Sequence, residues 1–144
     1  SLGDWCSLGN GCSLGKGCSL GNGCSSNALV IGRILAYRAS APEHVFMKWV
    51  TRNRQSPRFA GVGGPLTYKK GAVIEERAAI ISDRICAPGI HVLRPGCLPE
   101  HAGLCGPGHD LIGLRVLVRS EDICCPGFPG NDDKLRVSRV KVLD

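Results

Sequence analysis

The hydrophobic pattern of the chain changes character after its first two dozen residues. Over residues 2–25 leucine recurs every six positions, at Leu2, Leu8, Leu14 and Leu20. Cys6, Cys12, Cys18 and Cys24 follow the same period, so that each unit reads Leu-Gly-x-x-Cys-Ser. Leucines spaced by six would wander round the surface of an α-helix, and glycine interrupts any plain strand every few residues. A short strand, a glycine-assisted bend and another strand remain. A fixed short period predicts stacked repeat units, with the leucines inward and the variable Asn10, Lys16 and Asn22 outward.

From Ala28 onward the pattern predicts strands. Ala28 to Ala36 (ALVIGRILA) reads as a strand capping the repeat, with a buried helix as the alternative, since an almost continuous apolar run has no clear period. Val45 to Thr51 and Ile90 to Leu93 read as strands, and Leu111 to Arg119 as the strongest one. Leu66 to Lys69 and Ala72 to Glu75 flank Lys70-Gly71 as a hairpin-like pair. Ala78 to Cys86 fits either a strand or a helical turn. In the last strand, Leu135 to Leu143, Leu135 and Val137 alternate in one phase and Val140 and Val142 in the other, which calls for a bulge near Ser138-Arg139. The expected fold is mostly β: a short left-handed β-helix-like hexapeptide solenoid, followed by a small β-rich α+β domain. The units are residues 1–27 (repeat), 28–44 (capping strand and linker) and 45–144 (domain).

At 144 residues the chain holds one modest domain beside the repeat. No apolar run approaches the roughly 20 residues that span a bilayer. The single methionine is Met47, so Ser1 is not expected to be the translation start. Nine cysteines are many for a reducing cytosol, and an odd number leaves one unpaired within the chain. Cys86, Cys97, Cys105, Cys124 and Cys125 are the candidates for disulfides; within the vicinal pair a core cysteine beside a surface one is expected. The net charge of +6 is concentrated. Residues 28–58 carry Arg33, Arg38, Lys48, Arg52, Arg54 and Arg58 against Glu43 alone, net +5. Such a patch contacts nucleic acid or an acidic surface, or is simply a solvated face. Nucleic acid is not the favoured partner, because only Tyr37, Phe46 and Trp49 could stack.

Candidate chemistry is sparse. Cys97, His101, Cys105 and His109 are metal-ligand types at equal spacing, but Pro99, Gly103, Gly106, Pro107 and Gly108 rule out one helix presenting all four. Structural zinc sites use close cysteine pairs, which this run lacks. These four are weak candidates, and no metal or other cofactor is expected. No phosphate-binding loop, nucleophile elbow or zinc-protease helix occurs. No catalytic residue is assigned, and an enzyme built on a His/Cys pocket around His91 is the last of the readings.

Two resemblances add to this. The hexads resemble the signature of left-handed parallel β-helices, in which three hexads make one coil. Four hexads make little more than one coil, so the repeat is expected to lie against further coils or other copies. Residues 45–143 resemble a small domain common in tailed-phage genomes. The resemblance rests on Phe46-Met47-Lys48 with Ser56-Pro57, Tyr68-x-x-Gly71, Cys86-x-Pro-Gly-Ile-His-Val92, Leu114 to Ile123 and Lys134 to Leu143. The Gly-Ile-His-Val and Lys-Leu-Arg-Val stretches are also similar to the C-terminal part of the lysis-regulator B protein of T-even-type phages. The Gly/Pro/Cys-rich segment 95–110 and Cys124-Cys125 depart from that pattern. The resemblance implies no activity, cofactor or site residue. The first reading is a non-enzymatic phage structural protein, a virion surface, decoration or fibre-like component that binds itself or other phage proteins, because stacked repeats suit extended structures and an odd cysteine suits cross-linking outside a reducing cytosol. A phage accessory protein acting on a host component in the cytoplasm is the alternative.

Overall fold

A computed structural model describes residues 22–57, 64–82, 87–102, 110–127 and 133–144, without the side chains of 22–27 and 101–102. Among the described residues there are one α-helix and one antiparallel sheet of seven strands. The helix is α1 (Asn22–Ser40). The strands are β1 (Glu43–Thr51), β2 (Val73–Glu75), β3 (Ile90–Leu93), β4 (Leu111–Arg119), β5 (Ile123–Cys125), β6 (Lys134–Val137) and β7 (Arg139–Val142). The expectation of a β-rich domain holds. Residues 1–21, which carry most of the hexads, lie outside the described residues, and the last hexad runs into α1 rather than into a β-coil.

The capping strand expected over Ala28 to Ala36 is helix. Val30 and Ile34 sit one turn apart and are buried, with Tyr37 packed behind them. That i, i+4, i+7 spacing gives α1 one face that fits the sheet. Its C-terminal end is pinned from the opposite side of the chain. Ser120 donates its backbone N–H to the Pro42 carbonyl at 2.8 Å, and its hydroxyl to the Ala41 carbonyl.

The sheet order is β2-β7-β4-β1-β3-β6-β5. β1 and β4 pair along their whole length, from Glu43 opposite Arg119 to Thr51 opposite Leu111. β6 and β7 are separated only by Ser138. They are two halves of one kinked strand, the first paired with β3 and the second with β4. The path β7-β4-β1-β3-β6 therefore returns to its own starting strand, and the sheet closes into a small barrel. The kink falls where the phase change called for it: Leu135 and Val137 are buried before it, Val140 and Val142 after it. Phe46 and Val50 of β1, Leu114, Val116 and Val118 of β4, and Val92 of β3 join these in one core cluster. The expected hairpin does not form: β2 follows a turn at Lys70-Gly71 but pairs with β7, while Thr67 bridges to Gln55. Residues 78–82 adopt neither a strand nor a helix.

Arg136 is the unusual core residue. Its neighbours Leu135 and Val137 face the barrel interior, so strand alternation sends it to the other side, yet it is fully buried. Its guanidinium donates to the carbonyls of Ile80 and Pro88 at 2.8 Å, and to the carbonyl and hydroxyl of Ser82 at 2.9 and 3.0 Å. The side chain thus stitches two loops to the outside of β6. Gly89 makes room for it. A Cβ at Gly89 would lie 2.5 Å from Arg136 Cγ and 3.3 Å from the Val137 carbonyl oxygen, at a backbone φ of +149°. Because its fork is held, Arg136 cannot swing aside. Gly89→Ala is expected to lower stability by about 1–3 kcal/mol, read as a fall in the urea midpoint at unchanged slope.

Candidate functional site

The five described cations of residues 28–58 do not form one patch. Lys48 alternates with Phe46 and Val50 on β1, and that alternation places it inside the barrel, 6% exposed. Its Nζ donates to the His91 carbonyl at 3.0 Å and lies 5.2 Å from the centre of the Tyr68 ring. Burial, reinforced by the positive charge of Lys134, lowers the ammonium pKa to about 8. Tyr68 is itself fully buried, and that burial pushes its phenol up to about 12, opposed in part by the Ser56 hydroxyl. Arg54, at a left-handed φ of 61°, folds back to donate to the carbonyls of Tyr68 and Asp144 at 2.6 Å. Arg52 pairs with Asp110. Arg38 is exposed on α1. Arg58 lies outside the described residues. The expected patch is therefore a buried lysine, two engaged arginines and the two helix arginines.

One of those two, Arg33, lines an open groove of about 750 Å³ beside α1. The helix contributes Arg33, Ala36, Tyr37 and Ser40, the start of β1 contributes His44 and Phe46, and the turn after β3 contributes Arg94 and Pro95. Tyr37, His44 and Phe46 form its aromatic floor. Tyr37 meets His44 edge-on, with ring centres 5.1 Å apart at 89°, and meets Phe46 at 6.2 Å. His44 Nε2 donates to the Tyr37 carbonyl at 3.2 Å, as does the Ser40 hydroxyl at 2.8 Å. These contacts turn the floor into a fixed surface. The sequence placed Arg33 among the basic residues; Arg94 and His44, far apart in the chain, join it only through the docking of α1 on the folded sheet.

The other candidates separate. Cys97 is half-buried, with its thiol pKa raised by burial and by the Asp133 carboxylate. His101 belongs to a 3-10 turn, Pro99–Ala102, while Cys105 and His109 lie outside the described residues. Among the described residues no three metal-ligating side chains cluster. The chain has no match among protein-family models, curated proteins or solved structures. The groove and the buried Lys48–Tyr68 pair are therefore read on their own chemistry. Cys97 and Cys124 are free thiols, and Cys86 and Cys105, their candidate partners, lie outside the described residues. Both cysteines of the vicinal pair are buried, in place of the expected core and surface residues, because β5 is covered on both faces. Cys125 donates to the Gly127 carbonyl at 3.1 Å, and burial raises the Cys124 pKa. A raised thiol pKa disfavours the thiolate that nucleophilic catalysis needs. No described helix is long and apolar enough to cross a membrane.

Proposed function

We propose that the chain is a non-enzymatic structural protein that assembles with copies of itself through α1. The biological setting proposed is a phage virion, on the strength of the stacked repeat and the odd cysteine count. The observation that carries this is the outer face of the helix. While Val30 and Ile34 are buried, Leu29, Ile31 and Leu35 are 66%, 51% and 55% exposed. Between them stands Gly32, where an added Cβ would meet nothing within 4 Å. A glycine inside a helix costs roughly 0.5–1 kcal/mol relative to alanine, and packing among the described residues gains nothing from the missing side chain. A second helix crossing there gains close approach. Two copies of α1 about a two-fold axis give a self-complementary contact that covers the exposed leucines and isoleucine. The Leu-Gly-x-x-Cys-Ser repeat leading into α1 is the second proposed assembly element, as stacked hexads.

Light scattering of the full chain tests the reading. The wild type is expected to be oligomeric and Leu35→Glu monomeric. Gly32→Leu is expected to melt higher as a folded chain, since leucine favours helix, yet to lose self-association. A wild type that stays monomeric at high concentration, or a Gly32→Leu variant that assembles normally, would sink the proposal. The free thiols at Cys97 and Cys124 favour the second reading, an accessory protein of the host cytoplasm. Mass spectrometry of purified virions separates the two, because only the structural protein is carried in the particle.

A further inference from the structure

We infer that the Ile80-Ile81 loop completes the self-association interface, packing beside α1 against a second copy of this chain. The inference rests on the proposed pairing through α1 and names the surface that pairing lacks. Leu29, Ile31 and Leu35 are each only partly exposed, and together they offer on the order of 200 Å² of apolar surface. A stable interface buries about 800 Å² on each partner, so the helix face needs a neighbour. Among the described residues Ile80 and Ile81 are the one adjacent pair of large exposed hydrophobics, at 52% and 59%. Ser82, next in the chain, donates its N–H to the Cys124 carbonyl of β5 at 3.3 Å, and α1 packs on that same strand. Helix and loop therefore share β5 as their support. Across a two-fold axis the loop of each copy packs against the flank of the other's helix, so every contact is made twice.

The loop is held more firmly than its own packing explains. Among the described residues neither isoleucine joins the core cluster, yet Arg136 fastens the backbone on both sides of Ile81. From a fully buried position its guanidinium donates to the Ile80 carbonyl at 2.8 Å and to the Ser82 carbonyl at 2.9 Å. Burying a guanidinium is costly even when its hydrogen bonds are made. Two apolar side chains fixed before they meet a partner lose less freedom on contact, and that is what the buried arginine provides. A lipid surface would ask for something else. Interfacial segments join apolar residues to a surplus of basic ones, whereas residues 75–82 carry Glu75 and Glu76 against Arg77 alone.

The test is sedimentation equilibrium of the full-length protein. Ile81→Asp, checked for its native circular dichroism spectrum, should raise the self-association Kd by on the order of tenfold. Val73→Asp makes the same kind of change at an exposed position on β2, at the other end of the sheet order from β5, and should leave Kd unchanged. Arg136→Met keeps both isoleucines and releases the loop, and should raise Kd by about threefold. Leu35→Glu separates the two readings. If it yields monomers while Ile81→Asp associates as the wild type does, this inference fails and the pairing through α1 stands. A monomeric wild type, or two variants that both keep the wild-type Kd, ends both. Three further results overturn the inference: weakening by Val73→Asp equal to that by Ile81→Asp, wild-type association of Arg136→Met, or pelleting with phosphatidylglycerol vesicles that Ile81→Asp abolishes.

Discussion

Arg136→Ala is expected to be among the most damaging single substitutions in the barrel, at roughly 3–5 kcal/mol. The cost has two sources. The carbonyls of Ile80, Ser82 and Pro88 lose the donors that let them be buried, and a fully enclosed side chain leaves a void behind β6. Whole domains are stable by only about 5–15 kcal/mol, so the variant should unfold at a far lower urea concentration. Arg136→Met should be milder, at about 1–3 kcal/mol. Methionine keeps the packed stem, and it removes a charge whose burial is itself unfavourable. Hydrogen exchange should show where the loss acts, with the amide of Ser82, which donates to the Cys124 carbonyl, losing protection early. If Arg136→Ala unfolds at the wild-type urea midpoint, the loops do not depend on it.

Stability should pass through a maximum near pH 10, set by Lys48 and Tyr68. Lys48 has a pKa of about 8 when folded against an ordinary 10.5. Below about pH 8 both states hold its proton and pH has no leverage. Between about 8 and 10.5 the unfolded chain holds a proton that the folded chain has shed, so stability rises with pH. The full difference is on the order of 3 kcal/mol. Tyr68 works in the opposite sense. Its phenol is raised from 10 to about 12, so between those values the unfolded chain loses a proton that the folded chain keeps, and stability falls. Urea unfolding at stepped pH separates the limbs: Lys48→Met should flatten the rise, and Tyr68→Phe the fall. A Lys48→Met profile that still climbs from pH 8 would mean that a group other than Lys48 sets the rise.

Much of the barrel was legible in the chain itself. β3 and β4 fall where period and composition put them, because β-branched runs bounded by glycine and proline have few alternatives. The kink at Ser138 was legible because a phase change cannot be accommodated in a flat strand. α1 was not, because its second apolar face hides the 3.6-residue period. Val30, Ile34 and Tyr37 carry that period, but Leu29, Ile31 and Leu35 fill the gaps and make the segment read as a continuous buried strand. The short strand β5 was lost for a different reason: the segment around it is rich in turn residues, and its pairing with β6 is made only in the folded chain. The site was half-visible. Charge counting found Arg33, yet it counted Lys48 with it, because a sum over residues ignores which way a strand points each one. The alternation Phe46-Lys48-Val50 already placed that lysine with the core. Arg94 and His44 could not be joined to Arg33 by any local rule, since only the docking of α1 brings them together.

The strand that closes the ring follows every other strand in the chain. As the polypeptide leaves the ribosome, β1, β3 and β4 emerge with their free edges waiting for residues 134–142. Local hairpins offer no early refuge, because β1 and β4 are separated by two further strands and their pairing spans some sixty residues of chain. Such topologies mature slowly, and unpaired edges are where nascent chains find the wrong neighbour. Synthesis that stalls before Leu135 should therefore yield an open, adhesive intermediate rather than a smaller version of the same domain. Final maturation belongs to the moments after residues 134–142 have cleared the exit tunnel.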